Sequence, residues 1–131
     1  MIALVRTVEG VFELDVESEE ILGAVDVSVE RELLELGLPR LVAASESGSV
    51  IVALVERRPP LLISGDGGAT WREAGGGLPT GYDVAVDPAD PDRVLYAARN
   101  RLHLSTDGGV FWRSLTPELP DIEALEWSTA P

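Results

Sequence analysis

The stretch Ser64-Gly65-Asp66-Gly67-Gly68-Ala69-Thr70-Trp71 sets the fold of this chain. A second copy, Ser105-Thr106-Asp107-Gly108-Gly109-Val110-Phe111-Trp112, begins 41 positions later (105 − 64). Leu-Pro pairs recur at nearly the same distance, at 38–39, 78–79 and 119–120. A fixed period of about forty residues is typical of repeat folds, in which one supersecondary unit recurs along the chain.

Each copy has the chemistry of a tight turn between two strands. Two glycines in a row permit positive φ, so the chain can reverse sharply between Ile63 and Trp71. Asp66 is short and can accept hydrogen bonds from turn amides that have no partner in the sheet, and Ser64 can do the same more weakly. Trp71 then returns to the sheet as a large apolar anchor. The pattern therefore predicts a hairpin whose turn is held by side-chain hydrogen bonds, which we call a stapled turn. Its predicted role is structural.

The octet resembles the Asp-box, or BNR, motif Ser-x-Asp-x-Gly-x-Thr-Trp. The first copy fills every fixed position, with Ser64, Asp66, Gly68, Thr70 and Trp71. The second copy matches through Ser105, Asp107, Gly109 and Trp112, with Phe111 in place of Thr. Such boxes occur in β-propellers, including sialidases, sortilin-type receptors and photosystem II assembly factors. There they lie on the turn between the third and fourth strands of a blade, far from the central site.

The resemblance implies an all-β fold of four-stranded antiparallel blades and does not imply a sialidase. A sialidase would require an arginine triad, an acidic pair and a tyrosine nucleophile on a much longer chain. No Arg-Ile-Pro-like motif occurs in this sequence. Carboxylates are plentiful, so a glycosidase pair stays open on composition alone.

We name the strands of each blade A to D from the axis outward. The sequence predicts three blades, and the order of strands along the chain is shifted so that it opens on strand B. Blade 1 (1–37) starts at strand B, blades 2 (38–77) and 3 (78–118) are complete, and 119–131 holds a strand A over 121–127. Period-two alternation and turn residues place the other strands. In blade 1 they are expected at 1–5, at 11–14 and in a last strand that runs up to about 25. In blade 2 they are expected at 41–44, 50–56, 61–63 and 70–74, and in blade 3 at 82–86, 93–98, 102–104 and 111–115. Residues 28–36 are an insertion, for which a short helix and an extended hairpin both stay open.

Three blades are fewer than the four to eight with which propellers close. A free arc would expose two apolar blade faces and unpaired strand edges, which invite association. We therefore expect a homodimer that forms one six-bladed ring, in which strand 121–127 of one chain completes blade 1 of the other. A partial propeller that needs another protein and a nine-bladed trimer are the alternatives.

Composition narrows the classes of partner that we expect for this chain. The net charge of −13 opposes binding to nucleic acid and to anionic membrane surfaces. No stretch approaches the roughly 18 apolar residues of a membrane span, and the N-terminus lacks the features of a signal peptide, so cytoplasm is the expected location. The chain has no cysteine, which excludes metal sites with thiolate ligands and also excludes cysteine nucleophiles. We expect no cofactor.

Half of the ten arginines are predicted to lie on one rim, where the B–C turns and the D–A connections meet: Arg40, Arg57, Arg58, Arg99 and Arg101. Guanidinium groups suit carboxylate and phosphate, so an anionic small molecule or an acidic peptide is the expected ligand. The opposite rim is acidic, through Glu17, Glu19, Glu20, Asp66, Asp87, Asp90, Asp92 and Asp107. No EF-hand-like spacing occurs there, and we expect no metal site.

The sequence therefore favours a non-catalytic binding or interaction module, which sequence alone does not distinguish from a pure scaffold. The alternative is a small hydrolase or lyase, acting on a glycan or a lactone through rim carboxylates or His103. His103 is the single histidine, on a strand between Leu102 and Leu104. A histidine without a paired nucleophile is more often a packed or surface residue than a catalyst. Tyr82 and Tyr96 are expected to pack between blades.

Overall fold

The computed structural model describes residues 1–32 and 34–128, and these form only strands, turns and extended segments. There are twelve strands: β1 (Ile2–Thr7), β2 (Gly10–Asp15), β3 (Glu20–Val25), β4 (Leu41–Ser47), β5 (Val50–Val55), β6 (Leu61–Ser64), β7 (Arg72–Ala74), β8 (Asp83–Asp87), β9 (Asp90–Ala97), β10 (Leu102–Ser105), β11 (Arg113–Ser114) and β12 (Ile122–Trp127). In this part of the chain no helix has the length and hydropathy to cross a membrane.

The strands form three four-stranded sheets in which all neighbours are antiparallel. Blade 2 has the order β4-β5-β6-β7, blade 3 has β8-β9-β10-β11, and blade 1 has β12-β1-β2-β3. The all-β prediction of three four-stranded antiparallel sheets is confirmed. The closing strand, β12, pairs with β1 of the same chain, from Ala3 opposite Trp127 to Thr7 opposite Ile122. The homodimer stays a prediction.

The fourth strands and one hairpin differ from the expected bounds. The predicted strands at 70–74 and 111–115 shrink to β7 and β11, because the turn hydrogen bonds of each octet hold its last residues outside the sheet. β9 begins at Asp90, which pairs with Asp87. Of the segment 87–92, which separates the predicted strands 82–86 and 93–98, only Pro88-Ala89 is therefore a turn.

Blade 3 lies between the other two blades, and both of its faces are covered. One face packs against blade 1 in a core that contains Val5, Leu14, Leu95, Leu102, Leu104, Leu125 and Trp127. The other face packs against blade 2 in a core that contains Val52, Leu54, Leu61, Val84, Val94 and Tyr96. Successive residues of a strand point to opposite faces. Since both faces of blade 3 are covered, β8 and β9 carry apolar residues at consecutive positions. The spatial order of the blades is therefore 2, 3, 1.

Polar side chains tie the first strands of neighbouring blades together. The Ser45 hydroxyl of β4 accepts a hydrogen bond from Val86 N of β8 at 2.9 Å. The Asp83 carboxylate of β8 accepts one from Leu125 N of β12 at 2.8 Å. Trp127 Nε1 of β12 donates to the Ala85 carbonyl of β8 at 2.9 Å. These bonds satisfy buried polar groups that would otherwise cost about 1–3 kcal/mol each, and so they fix how the blades stack.

The connection between blades 1 and 2, which we call the linker (26–40), forms neither of the structures left open for 28–36. Its described residues lie outside helices and strands, with a turn at 39–40, and Leu33 lies outside the described residues. Val29 is buried against Val11 and Ala124 on the outer face of blade 1. Further along, Leu34 and Glu35 line a cleft with part of β4. The linker therefore covers part of both ends of the arc.

The end faces of the arc are less exposed and less apolar than expected. On blade 1, Leu4 lies between Glu13 and Glu126, and all three point away from blade 3. On blade 2, the residues that point away from blade 3 include Ala53 and Val55, and both are buried. The expectation of two exposed apolar faces is therefore met only in part: Leu4, Val25 and the exposed Val27 line a cleft with Glu13 and Glu126 on blade 1, whereas Ala53 and Val55 are buried on blade 2.

The two octets have the same hydrogen-bonded turn. Ser64 Oγ accepts from Gly68 N at 2.8 Å and donates to Asp66 Oδ1 at 2.7 Å, and Asp66 accepts from both the amide and the hydroxyl of Thr70. These bonds from Thr70 lower the pKa of Asp66 to about 2. Gly67 and Gly68 have φ of 72° and 97°, a region that favours glycine.

In the second octet, Ser105 and Asp107 repeat this network. Ser105 Oγ accepts from Gly109 N at 2.8 Å and donates to Asp107 Oδ1 at 2.8 Å. Asp107 accepts from Phe111 N at 3.0 Å, so the backbone bond survives where the threonine hydroxyl is missing. The residue at the threonine position is therefore free to vary.

We expect Ser64→Ala to destabilise the fold by about 1–3 kcal/mol, because Ser64 is buried and the Gly68 amide would lose its acceptor. Ser105→Ala should cost a similar amount, since its bonds have the same lengths within 0.1 Å. Urea unfolding measures both, with the exposed Ser18→Ala as the control. Losses no larger than that of the control would contradict a stapling role.

Asp83 gives the fold a pH dependence of a defined sign. Burial raises the pKa of Asp83 to about 6, although hydrogen bonds from Leu125 N and Val84 N and the charge of Arg31 oppose the shift. A raised pKa in the folded state means that the stabilising contribution of Asp83 is complete below about pH 4 and is lost as the pH rises through 6. The pKa of His103 is lowered, so its contribution has the opposite sign.

We expect the free energy of unfolding of the wild-type chain, relative to Asp83→Asn, to fall by about 2 kcal/mol between about pH 4 and pH 7. Urea unfolding of both proteins across this range measures the difference. His103 is present in both, so its opposite contribution cancels in the comparison. Parallel pH profiles for the two proteins would show that ionisation of the buried Asp83 carboxylate does not lower the free energy of unfolding.

Candidate functional site

The B–C turns and the D–A connections lie together on one rim of the arc. Leu119 N and Ile122 N, which precede and begin β12, donate to the carbonyls of Asn100 and Arg99 at 2.8 Å each. On the neighbouring blade, Arg58 Nη1 donates to the Leu78 carbonyl. Arg57, Arg58, Arg99 and Arg101 therefore share this rim, as the strand order predicts.

Each of three rim arginines has an acidic neighbour. Arg57 lies 3.5 Å from Glu73, Arg99 lies 3.2 Å from Asp121, and Arg101 lies 2.9 Å from Glu118. All six side chains are more than a third exposed. Such ion pairs contribute about 0–1 kcal/mol, so an incoming carboxylate can exchange with them.

Arg40 lies on the same rim, next to the turn that carries Arg57 and Arg58. It has a φ of 58°, and its carbonyl accepts from Glu56 N at 3.0 Å. It is not among the residues that line the rim clefts described below. Its contribution to the fold is this backbone bond.

Three clefts open along the arc next to the segment 79–82. The basic cleft, of about 570 Å³, is lined by Tyr82, Arg99, Asn100, Arg101, His103 and Glu118, with Pro79, Thr80 and Ala98. A second cleft, of about 320 Å³, holds Arg57 and Arg58 and shares Thr80 with the first. The aromatic cleft, of about 370 Å³, is lined by Pro79, His103, Val110, Phe111, Trp112 and Ser114, with 76–78. Pro79 and His103 form a wall that the basic and aromatic clefts share.

Tyr96 holds this wall in place. Its side chain is fully buried between blades 2 and 3, and its hydroxyl donates to the Pro79 carbonyl at 2.5 Å. A Cβ at Gly81 would meet the Tyr96 oxygen at 2.5 Å, so this close approach requires glycine. Burial raises the pKa of Tyr96 to about 12, which keeps the hydroxyl a donor. The expectation that the tyrosines pack between blades holds for Tyr96, whereas Tyr82 is 38% exposed and lines the basic cleft.

His103 points away from Leu102 and Leu104, as alternation predicts, and faces Tyr96 at 6.1 Å between ring centroids. Its Nδ1 lies 3.4 Å from Ser114 Oγ. Burial and the charge of Arg101 lower the pKa of His103, so it is neutral at pH 7. In the described residues no carboxylate is hydrogen-bonded to His103, and an activated serine requires a base that a third group orients. The pair has the residues of a catalytic dyad without its orienting acid.

Side chains of the acidic rim form ion pairs and hydrogen bonds with other residues of the protein. Arg93 lies 3.8 Å from Asp87 and 3.6 Å from Asp90. Glu19 accepts from Arg113 at 3.0 Å and from the Thr116 amide, and the Thr116 bonds lower the pKa of Glu19. Among the described residues, no three acidic or histidine side chains are grouped as metal ligands.

Comparison with known proteins supports the fold and leaves the ligand open. No protein-family model and no curated protein matches the chain. A structure of YCF48 bound to a D1 peptide is similar over 92% of this chain, with 19% identity and a TM-score of 0.52. A crystal structure of the GH74 enzyme of Niastella koreensis is similar over 54%, with 28% identity and a TM-score of 0.47. The chain spans 37% and 11% of those two proteins. The likeness to YCF48, together with the three four-stranded sheets, shows a β-propeller fold.

Proposed function

We propose that this chain is a non-catalytic binding module that holds an acidic peptide across the basic and aromatic clefts. The observation that carries the proposal is the wall that both clefts share, Pro79 and His103. A ligand that follows this wall meets guanidinium groups on one side and exposed aromatic surface on the other. An acidic peptide presents both a carboxylate and an apolar side chain, one for each cleft.

The basic cleft suits a carboxylate on physical grounds. Arg99 and Arg101 flank the polar side chain of Asn100, and their present partners, Asp121 and Glu118, are largely exposed. Guanidinium groups bind carboxylates in a planar, two-pronged geometry. The exchange of one carboxylate for another keeps the arginines paired, and it frees the protein's own acids to solvent.

The aromatic cleft favours a peptide over a small anion. Phe111 is 77% exposed and Val110 is 59% exposed, although the amides of both donate to Asp107 within the turn. Phe111 occupies the position of Thr70 in the first octet, where a hydroxyl would close the turn. Exposed aromatic residues beside a pocket are characteristic of protein interfaces. A small anion would contact only the basic cleft, whereas an apolar side chain of a peptide would bury Phe111.

The YCF48 structure contains a D1 peptide, but at 19% identity its similarity supports only the shared fold. The proposal of a peptide ligand therefore rests on the clefts. We also propose that the chain is an Asp-box propeller, and the matching hydrogen bonds of the two octets support this. The alternative, a hydrolase or lyase that uses rim carboxylates or His103, is supported only by the 3.4 Å contact of His103 with Ser114.

The test is fluorescence anisotropy with three labelled peptides: Gly-Asp-Leu-Phe-Glu, its amide counterpart Gly-Asn-Leu-Phe-Gln, and Gly-Asp-Gly-Gly-Glu. We expect the first to bind most tightly. Arg101→Gln should weaken its binding roughly tenfold, because one charged hydrogen bond contributes about 1.4 kcal/mol or more. Phe111→Thr, which restores the residue of the first octet, should remove the preference for the first peptide over the third.

Arg93→Gln is the matched control, since Arg93 pairs with Asp87 and Asp90 on the opposite rim. Its binding should equal that of the wild-type protein. Equal losses from Arg101→Gln and Arg93→Gln would reduce the effect to net charge and contradict the site. Turnover of an ester, a lactone or a glycan that His103→Ala abolishes would replace the binding proposal with the hydrolase.

A further inference from the structure

The outer strand of blade 1 differs from the outer strands of the other two blades. β7 has three residues and β11 has two, because the turn bonds of each octet hold the adjoining residues outside the sheet. Blade 1 has no such octet, and its outer strand, β3, runs for six residues. β3 is the last strand in the order β12-β1-β2-β3, so it has a neighbour on one side only. A sheet edge of about 20 Å is therefore open along β3.

The backbone of β3 has free hydrogen-bonding groups along this open edge. In an antiparallel pair, residues alternate between those that bond to the neighbouring strand and those whose N–H and C=O point away from it. Within the part of the chain that the structure describes, only β2 bonds to the backbone of Glu20–Val25. The inner edges differ, since Glu46 N, Val86 N and Leu125 N each donate to a side chain. The edge of β3 is therefore a template for one more strand.

The side chains of β3 leave this edge accessible. Ile21 is 43% exposed and Leu22 is 53% exposed, and Gly23 and Ala24 are exposed as well. Edge strands are commonly protected from pairing by a charged residue or a proline, and neither occurs between 21 and 25. The pairing register shifts by one residue at Leu22, and such a bulge bends the edge. The bend disfavours the stacking of flat edges and leaves room for a single added strand.

Carboxylates lie at both ends of this edge. Glu17 and Glu20 lie at its start, Asp26 follows its last residue, and Glu13 lies beside it on β2. Among the described residues, none of these four carboxylates forms an ion pair with an arginine. Opposite charges on neighbouring strands are stabilising. A strand with lysine or arginine near its ends therefore matches the charge of this edge, while its apolar residues contact the exposed side chains of β3.

A second copy of this chain fits the same edge poorly. Two β3 strands that pair antiparallel would bring Glu20 of one copy close to Asp26 of the other, at both ends of the pair. Like charges on facing strands are destabilising, and each chain also has a net charge of −13. The carboxylates that attract a basic strand therefore repel this one.

We propose that the open edge of β3 binds an extended, basic segment of a partner protein, which adds to blade 1 as one more strand. In strand addition, main-chain hydrogen bonds provide affinity and the side chains provide specificity. This surface is separate from the clefts of the acidic peptide, which are lined by residues of blades 2 and 3 and their connections. The chain then has two binding surfaces that prefer partners of opposite charge.

The test is backbone hydrogen exchange of the wild-type protein with the peptide Lys-Val-Arg-Val-Thr-Val-Lys. We expect slower exchange within Glu20–Val25 and unchanged exchange in β7 and β11. The control peptide has the same sequence with alternate backbone nitrogens methylated, which keeps its charge and side chains but removes the donors along one edge. It should bind at least roughly tenfold more weakly, because several hydrogen bonds are lost. The acidic counterpart Glu-Val-Asp-Val-Thr-Val-Glu should not slow exchange in β3.

A substitution on the edge tests the same contact from the side of the protein. Leu22→Lys removes an apolar contact and adds a positive charge that repels the basic peptide, so its binding should weaken roughly tenfold. Fluorescence anisotropy of the labelled peptide measures this change. The matched control is Val8→Lys, which makes the same charge change at a residue that is 62% exposed in the turn between β1 and β2. Its binding should stay close to that of the wild-type protein.

Equal binding of the methylated peptide, or equal losses from Leu22→Lys and Val8→Lys, would reduce the interaction to net charge and overturn the proposal. Unchanged exchange within Glu20–Val25 would overturn it as well, and this measurement decides even where Leu22→Lys does not fold. A chain that forms dimers without peptide and protects Glu20–Val25 by itself would identify a second copy as the occupant, against the proposal.

Discussion

The antiparallel pairing of β12 with β1 is the contact on which the rest of the structure depends. It joins the two ends of the described chain and completes blade 1. β12 also covers one face of blade 3, through Leu125 and Trp127. Without it, the core between blades 1 and 3 would lose its central strand, and Asp83 and Ala85 would lose the polar partners that Leu125 and Trp127 provide. Blade 3 is the middle blade because this closing strand lies on one side of it and β4 on the other.

The same arrangement separates the arginine turns from the stapled turns, although Val110 and Phe111 of the second stapled turn also line the aromatic cleft. The stapled turns follow the third strand of blades 2 and 3, and the arginine turns follow the second strand, so they lie at opposite ends of the sheets. Buried hydrogen bonds fix the first group, and exposed ion pairs occupy the second. Function on a rigid scaffold is commonly carried by such loops, because their side chains can exchange partners without disturbing the core. His103 belongs to the scaffold and also lines both clefts.

The octets and the alternation of apolar residues predicted the blades well, because both signals are local. Ser64, Asp66 and Gly68 close a turn within five positions, and Leu102 and Leu104 point the same way whatever lies beside them. The prediction was less accurate where a residue's role depends on a distant partner. For residues 28–36 the sequence left a helix and a hairpin open, and the linker forms neither in its described residues because its contacts are with β12, β8 and β4. The end faces were expected to be exposed because the sequence does not show which segment covers them.

By itself, the sequence determined the repeat, the four-stranded units, the position of the arginines on one rim and the opposite directions of His103 and its neighbours. These features follow from backbone periodicity and turn chemistry, which act over a few residues. Only the tertiary structure decided the order of the blades, the closure of blade 1 by its own chain and the wall of Pro79 and His103 between two clefts. These depend on contacts between residues far apart in the chain, up to 124 positions (127 − 3) in the pairing of Ala3 with Trp127, and on the bond from Arg31 of the linker to the Glu123 carbonyl.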